Sequence, residues 1–264
     1  MGTKRVGWAR IKSLISENTG DGTGDRRNWV MHSSGSTAGT QGSTTIVVGK
    51  NPSSTAQPFV ADPFAQSSTK LFPFGTLLYY GDRIFRYAGI GGVAVTAGKC
   101  LQTAALTNAN HRDMAVQAAA AVGATSVAVT FGGDTDAAAD LFADGYLHIN
   151  NDAGEGQLMR IKSHDAVDAG VSTTCTLDLF DKVTFALTTS SKADLITSPY
   201  NDLVVAPAAE TGPVVGVTAR NMTEDYYGWV QVGGPCSVLT VGTVVLGNHA
   251  VRSGGTAGGC APAT

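Results

Sequence analysis

The chain has 264 residues, 43% of them hydrophobic but only 15% charged, with 33 glycines and a formal net charge of −3. That length can bury a sizeable core in one large β domain or two smaller ones. A charge content well under the usual quarter argues against a freely diffusing enzyme and implies that protein covers part of the surface in the working state.

In chain order, residues 4–16 have the spacing of a short amphipathic helix. Trp8, Ile11 and Ile15 share one face, with Leu14 beside them, while Lys4, Arg5 and Lys12 lie elsewhere. So brief a helix needs a partner surface. Residues 1–30 hold six bases and three acids, a charge of +3 that leaves −6 for the rest of the chain. A basic tail on an acidic body can dock on an acidic neighbour or on nucleic acid, or simply be solvated. From Gly20 to Ser68 the chain is rich in Gly, Ser and Thr, broken by Ile46-Val47-Val48 and three prolines, which reads as an extended arm with at most one strand.

Regular β signals begin at Phe72. Leu77–Tyr80 and Ile84–Tyr87 flank Gly81-Asp82, a dipeptide suited to a tight hairpin turn, and a further strand is expected over Val93–Thr96. Alanine-rich residues 115–122 precede Gly123 and the alternating Ser126–Thr130, which together predict a turn and a strand. Residues 134–142 read as one short helix or a loop. Tyr146–Ile149 and Leu158–Ile161 flank a glycine-containing hairpin loop, and strands at Thr173–Leu179 and Asp194–Ile196 complete a middle block. Beyond Pro199, strands are expected at Leu203–Val205, Val214–Val217, Tyr226–Val232, Cys236–Thr240 and Thr243–Leu246, with an unstructured or draped tail from Ser253. No internal repeat stands out. Short, closely spaced strands with Gly or Asn between them predict small sandwich or barrel modules.

Candidate chemistry is sparse. Gly89-Ile90-Gly91-Gly92-Val93-Ala94 has the dinucleotide-loop spacing, but no helix opens after it. Gly49-Lys50 and Gly98-Lys99 lack the rest of a phosphate loop. The acidic loop Asn150–Glu155 fails the calcium-loop pattern, because its first ligand would fall on Ile149. Five histidines are scattered, of which His148 and His164 are the two of interest, and Asp134/Asp136 and Asp178/Asp181 read as loop acids. Cys100, Cys175, Cys236 and Cys260 form no CxxC pair and read as buried free thiols. No catalytic, cofactor-binding or metal-binding residue is assigned, and no cofactor is expected. Tyr226–Gln231 is the densest aromatic cluster, with core packing preferred over an exposed stripe. No apolar run reaches the length of a membrane span and no signal-peptide pattern opens the chain, so a membrane is not expected as a partner.

Four stretches together resemble the virion structural proteins of tailed bacteriophages, in particular the capsid decoration (cement) type. They are Gly7-Trp8-Ala9-Arg10-Ile11-Lys12 with the arm behind it; Phe74-Gly75-Thr76 leading to Gly81-Asp82-Arg83-Ile84-Phe85-Arg86-Tyr87; Gly145–Asn150 with Gly154-Glu155-Gly156 and Ile161–His164; and Tyr227–Gln231 running to Gly247-Asn248. The resemblance implies a non-enzymatic protein made in the host bacterial cytoplasm and carried on the virion. There it would bind the outside of the coat shell through many modest contacts repeated by symmetry. Its partners would be the major capsid protein and copies of itself, possibly as a trimer, with nucleic acid not expected. Major coat or another head or tail component is the alternative, and a glycan-binding β module a further one. The expected organisation is an arm over 1–70, a β core from 71–112 with 200–264, and a β module over 113–199. Trp8, Arg10, Ile11 and Ile15 of the arm are the expected partner contacts.

Overall fold

The computed structural model describes residues 62–133 and 135–263 in full, and the backbone of residues 29–33 and 45–49. Among the described residues all regular structure is β, apart from one 3₁₀ turn at Ala109–His111. The fold is all-β. The short helix expected over 4–16 lies outside the described residues.

The first strands are β1 (Trp29–Ser33), β2 (Thr45–Gly49), β3 (Gln66–Ser67), β4 (Leu77–Tyr80), β5 (Arg83–Gly89) and β6 (Cys100–Gln102). Then come β7 (Met114–Val116), β8 (Ser126–Thr130), β9 (Tyr146–Asn151), β10 (Leu158–His164), β11 (Thr174–Leu179) and β12 (Lys192–Ile196). The last are β13 (Val204–Val205), β14 (Val214–Thr218), β15 (Tyr227–Gly233), β16 (Ala250–Arg252) and β17 (Cys260–Pro262).

One nine-stranded sheet runs β1-β2-β4-β5-β15-β14-β6-β13, with β3 also paired to β15. The β4–β5 hairpin pairs Tyr80 with Arg83, leaving Gly81-Asp82 as a two-residue turn. Only Gly81 of the two has a positive φ (61°), which is the type II′ geometry that fits strand twist. Both faces of this sheet are covered. Leu78, Phe85, Tyr87 and Trp229 pack on one, while Ala88, Ile90, Leu101, Leu203 and Val230 pack on the other. Trp229 is therefore core within the chain, tilted against Phe72 at 5.4 Å and edge-on to Tyr87 at 5.1 Å.

Strands β7 to β12 close a separate antiparallel barrel in the order β10-β11-β8-β7-β12-β9. Burial alternates along five of them, and along β10 as far as Lys162, as a two-residue side-chain period requires, and the inward residues fill the interior. The barrel leaves the large sheet after β6 and returns at β13, two strands that pair side by side through Gln102 and Val204.

One closing device occurs three times, once beside the large sheet and twice at the barrel ends. An isolated apolar residue forms a two-bond antiparallel bridge with a distant partner, and a turn follows it: Val95 with Met222, Ala120 with Leu187, and Ala137 with Val167. All six residues are buried. The Ala120 pair closes one barrel end, between the β7–β8 and β11–β12 loops. The Ala137 pair closes the other, beside an aromatic plug in which His111 meets Phe131 at 4.7 Å and Phe142 at 4.9 Å.

Several expectations are corrected. Val93–Thr96 is not a strand but holds the single bridging residue Val95. Of the helix or loop read over 134–142, residues 135–142 take the loop, with turns and one bridge. The stretch 20–68, expected to hold at most one strand, contributes β1, β2 and β3. No strand forms at 236–240 or 243–246, where Thr240 alone bridges to Cys260. A hairpin lies further on, at β16–β17, its second strand inside the tail expected from Ser253. Backbone bonds hold that tail in place: Cys100 N–H donates to the Gly258 carbonyl at 2.9 Å, and Gly258 N–H to Ala206 at 2.7 Å.

Candidate interaction surface

The chain enters and leaves the barrel at one end, so the opposite end is the one turned away from the β6–β13 crossing. Three loops form that distal end: 117–125, 152–157 and 180–191. The first carries no charged side chain, nor does 183–191 in the third, and the second carries only Asp152 and Glu155. An apolar rim sits among them. Phe185 is 67% exposed, Val122 65%, and Leu158, directly after the second loop, 56%.

Hydrogen bonding fixes this rim. Residues 120–124 run antiparallel to 183–187: Ala120 and Leu187 exchange two bonds, Gly123 N–H donates to Val183 O at 2.8 Å, and Val183 N–H donates to Ala124 O at 2.9 Å. Val122 and Phe185 therefore occupy facing segments. From below, buried Gln157 clamps the Phe185 loop. Its Oε1 accepts from Thr184 N–H (2.8 Å), the Thr184 hydroxyl (2.9 Å) and Phe185 N–H (3.0 Å). Its Nε2 donates to the carbonyls of Gly154 (3.0 Å) and Phe185 (2.9 Å). A large apolar side chain held outward on an immobilised loop, with little charge around it, has the composition and rigidity of an interface anchor.

At the proximal end Asp144 joins barrel to sheet. It lies near the end of the β8–β9 loop with φ 63° and is buried. Its carboxylate meets Lys70 Nζ at 2.7 Å and Arg160 Nη2 at 3.1 Å, and it accepts from Phe74 N–H at 2.9 Å. Arg160 Nη2 also donates to the Phe74 carbonyl at 3.0 Å. The barrel thus grips the segment that leads into β4, holding the distal end in a fixed direction from the sheet.

The residues singled out in the sequence fall as follows. Trp8, Arg10, Ile11 and Ile15 lie outside the described residues, as does Asp134. Gly89 and Gly91 donate backbone bonds to Tyr200 and Leu203, so their spacing serves strand packing. His148 lies on the barrel's outer face, 3.5 Å from Asp194. His164 points inward because a bulge between Ile161 and Ser163 shifts the alternation. Its Nε2 accepts from Phe142 N–H at 3.0 Å, leaving the proton on Nδ1 for the Asp165 carbonyl at 2.7 Å. Asp178 is not a loop acid but lies in β11, accepting from the Ser163 hydroxyl across the strand pair, while Asp181 accepts from the Arg160 amide. All four thiols are free, but only Cys100 and Cys175 are buried; Cys236 is exposed and Cys260 half-buried, which corrects the expectation of four buried thiols. Burial, with Asp165 nearby, pushes the Cys175 thiol up to about 11. Among the described residues no three His, Cys, Asp or Glu side chains gather as metal ligands, and no helix is long and apolar enough to cross a membrane. Sequence reasoning missed Phe185, Val122 and Gln157; the one available signal was the charge-free run from Met114 to Gly133 and its counterpart at 183–191. Compared with protein-family models, with curated proteins and with solved structures, the chain finds no match in any of the three.

Proposed function

We propose that this chain is a capsid decoration (cement) protein of a tailed bacteriophage, acting without catalysis by binding the outside of the coat shell. The observation that supports it most directly is the distal end of the barrel, where Phe185 and Val122 stand exposed among nearly charge-free loops, with Gln157 clamping the Phe185 loop and backbone bonds tying the Val122 segment to it. Rigid apolar anchors bind protein surfaces without the entropic cost of ordering a loop. The partners are the major capsid protein and copies of the chain itself, and many such contacts repeated by symmetry add avidity. Because the barrel is closed, it has no free strand edge to lend, and contact there runs through side chains on the loops.

The test is sedimentation of purified protein with phage heads stripped of it. Saturable binding at a fixed ratio to coat subunits, with heads that then better resist heat, is the expected result. The double variant Phe185→Ser, Val122→Ser binds at least about 30-fold more weakly while unfolding within about 0.5 kcal/mol of the parent. Self-assembly into tubes or shells without head binding would move the assignment to a coat or tail component. A stable monomer that ignores heads would move it to a glycan-binding module.

A further inference from the structure

The C-terminal segment after β15 is attached to the large sheet in an unusual way. None of residues 235–263 joins a buried apolar cluster. Its attachment is polar: Leu239 N–H donates to Gly98 O at 2.8 Å, Lys99 Nζ to Ala257 O at 3.2 Å, and Arg252 Nη1 to Pro207 O at 2.9 Å. A segment held mainly by hydrogen bonds, with its apolar side chains at most half-buried, opens at low free-energy cost. At the centre of this attachment the Sγ atoms of Cys100, on β6, and Cys260, on β17, lie 3.3 Å apart. The backbone around both is fixed in place by Cys100 N–H to Gly258 O at 2.9 Å and Cys260 N–H to Leu239 O at 2.8 Å. A disulfide needs about 2.05 Å between sulfurs, so a small rotation of the two side chains closes the gap.

We propose that Cys100 and Cys260 form a modification site: a dithiol that converts to a disulfide when the protein leaves a reducing compartment, stapling the C-terminal segment to the large sheet. The oxidant is a small-molecule disulfide of the glutathione class. Half-buried Cys260 gives its proton to water and attacks one sulfur of that disulfide, forming a mixed disulfide and expelling one thiolate. Cys100, only 3% exposed, then loses its proton, attacks the Cys260 sulfur and expels the second thiolate. Two protein thiols are oxidised by two electrons in all, and one small disulfide is reduced to two thiols. Burial and the neighbouring thiol push Cys100 up to about 12, so the second step sets the rate, while the redox poise of the compartment sets how much of the pair is oxidised. The covalent link joins positions 160 residues apart, tying the last hairpin to the strand at which the barrel departs. The inference stands apart from the particle assignment and holds whatever the distal end binds.

The test uses the full chain carrying Cys236→Ser, which removes the exposed competing thiol, purified reduced and then incubated with oxidised glutathione. The expected result is a mass lower by about 2 Da. A non-reducing peptide map should join the Cys100 and Cys260 peptides, and proteolysis between 241 and 249 should slow by roughly tenfold or more. Adding Cys260→Ser should abolish that protection. Glutathione adducts without an internal bond, a bond involving Cys175, or three thiols still free after incubation would each overturn the proposal.

Discussion

Gln157 offers the sharpest way to test how the distal rim is held. Replacing it by Met keeps length and volume but removes five hydrogen bonds, three accepted by Oε1 and two donated by Nε2. At about 1 kcal/mol net per bond the ceiling is about 5 kcal/mol. Thr184 and Phe185 are exposed, however, so water takes over part of their bonding, and about 2–3 kcal/mol is the expected loss. With a urea slope of about 1–3 kcal/mol per molar, the midpoint of barrel unfolding should fall by roughly 1 M. Native-state hydrogen exchange supplies the local readout: the amides of Thr184 and Phe185 should lose protection, while those of β8 and β11 follow only the global change. A loss under about 0.5 kcal/mol, with both amides still protected, would refute the clamp and leave the rigidity of Phe185 without a cause.

Three further outcomes follow from the geometry. Asp144→Asn tolerates the positive φ but surrenders the ion pairs to Lys70 and Arg160. It should cost about 1–3 kcal/mol and let barrel and sheet melt as separate calorimetric transitions. Gly145→Ala would place a methyl carbon 2.2 Å from the Ile196 carbonyl oxygen and 2.9 Å from that of Phe142. Backbone must move, so a loss of about 3 kcal/mol or more, or no soluble protein, is expected in denaturant titration. His111 is 3% exposed with Nε2 unpartnered, and burial lowers its pKa. The unfolded chain therefore binds a proton at His111 more readily than the folded one. Stability is unaffected above the unfolded value of about 6.5 and is lost as pH falls from there through the folded value. Urea midpoints at pH 7.5 and 5 should separate in the parent, and His111→Phe should narrow the difference.

The strands were legible wherever a run of four or more apolar or alternating residues stood between turn residues. Leu77–Tyr80 and Ser126–Thr130 match their observed bounds, and Tyr146–Ile149 falls short by the two residues that enter the loop. The three bridges left no such trace. Each uses one buried residue per segment, and Ala120 or Met222 alone makes no alternation, while its partner lies far along the chain. The C-terminal hairpin was hidden because its strands carry little apolar side-chain weight and are placed by backbone bonds to β6 and the β13 region. Tyr227 and Trp229 were correctly put on one face of their strand, but Val230 is buried as well, since the sheet is covered on both sides. The rim escaped notice because an exposed Phe in a Thr/Ala/Leu segment looks like any loop residue until its clamp is seen.

The side-by-side placement of β6 and β13 has a kinetic consequence. Ribosomal synthesis delivers β7 to β12 in one run before β13, β14 and β15 exist, and every barrel pairing lies within that run. The sheet cannot be completed until β15 reaches β5 and β13 reaches β6, pairings that an unfolded tether of about 100 residues would delay through its closure entropy. A barrel already formed shortens that tether to the gap between two adjacent strands, because it brings its own two ends together. The barrel is thus the template on which the second half of the sheet finds the first, and lesions in its interior should slow assembly of strands that it never touches.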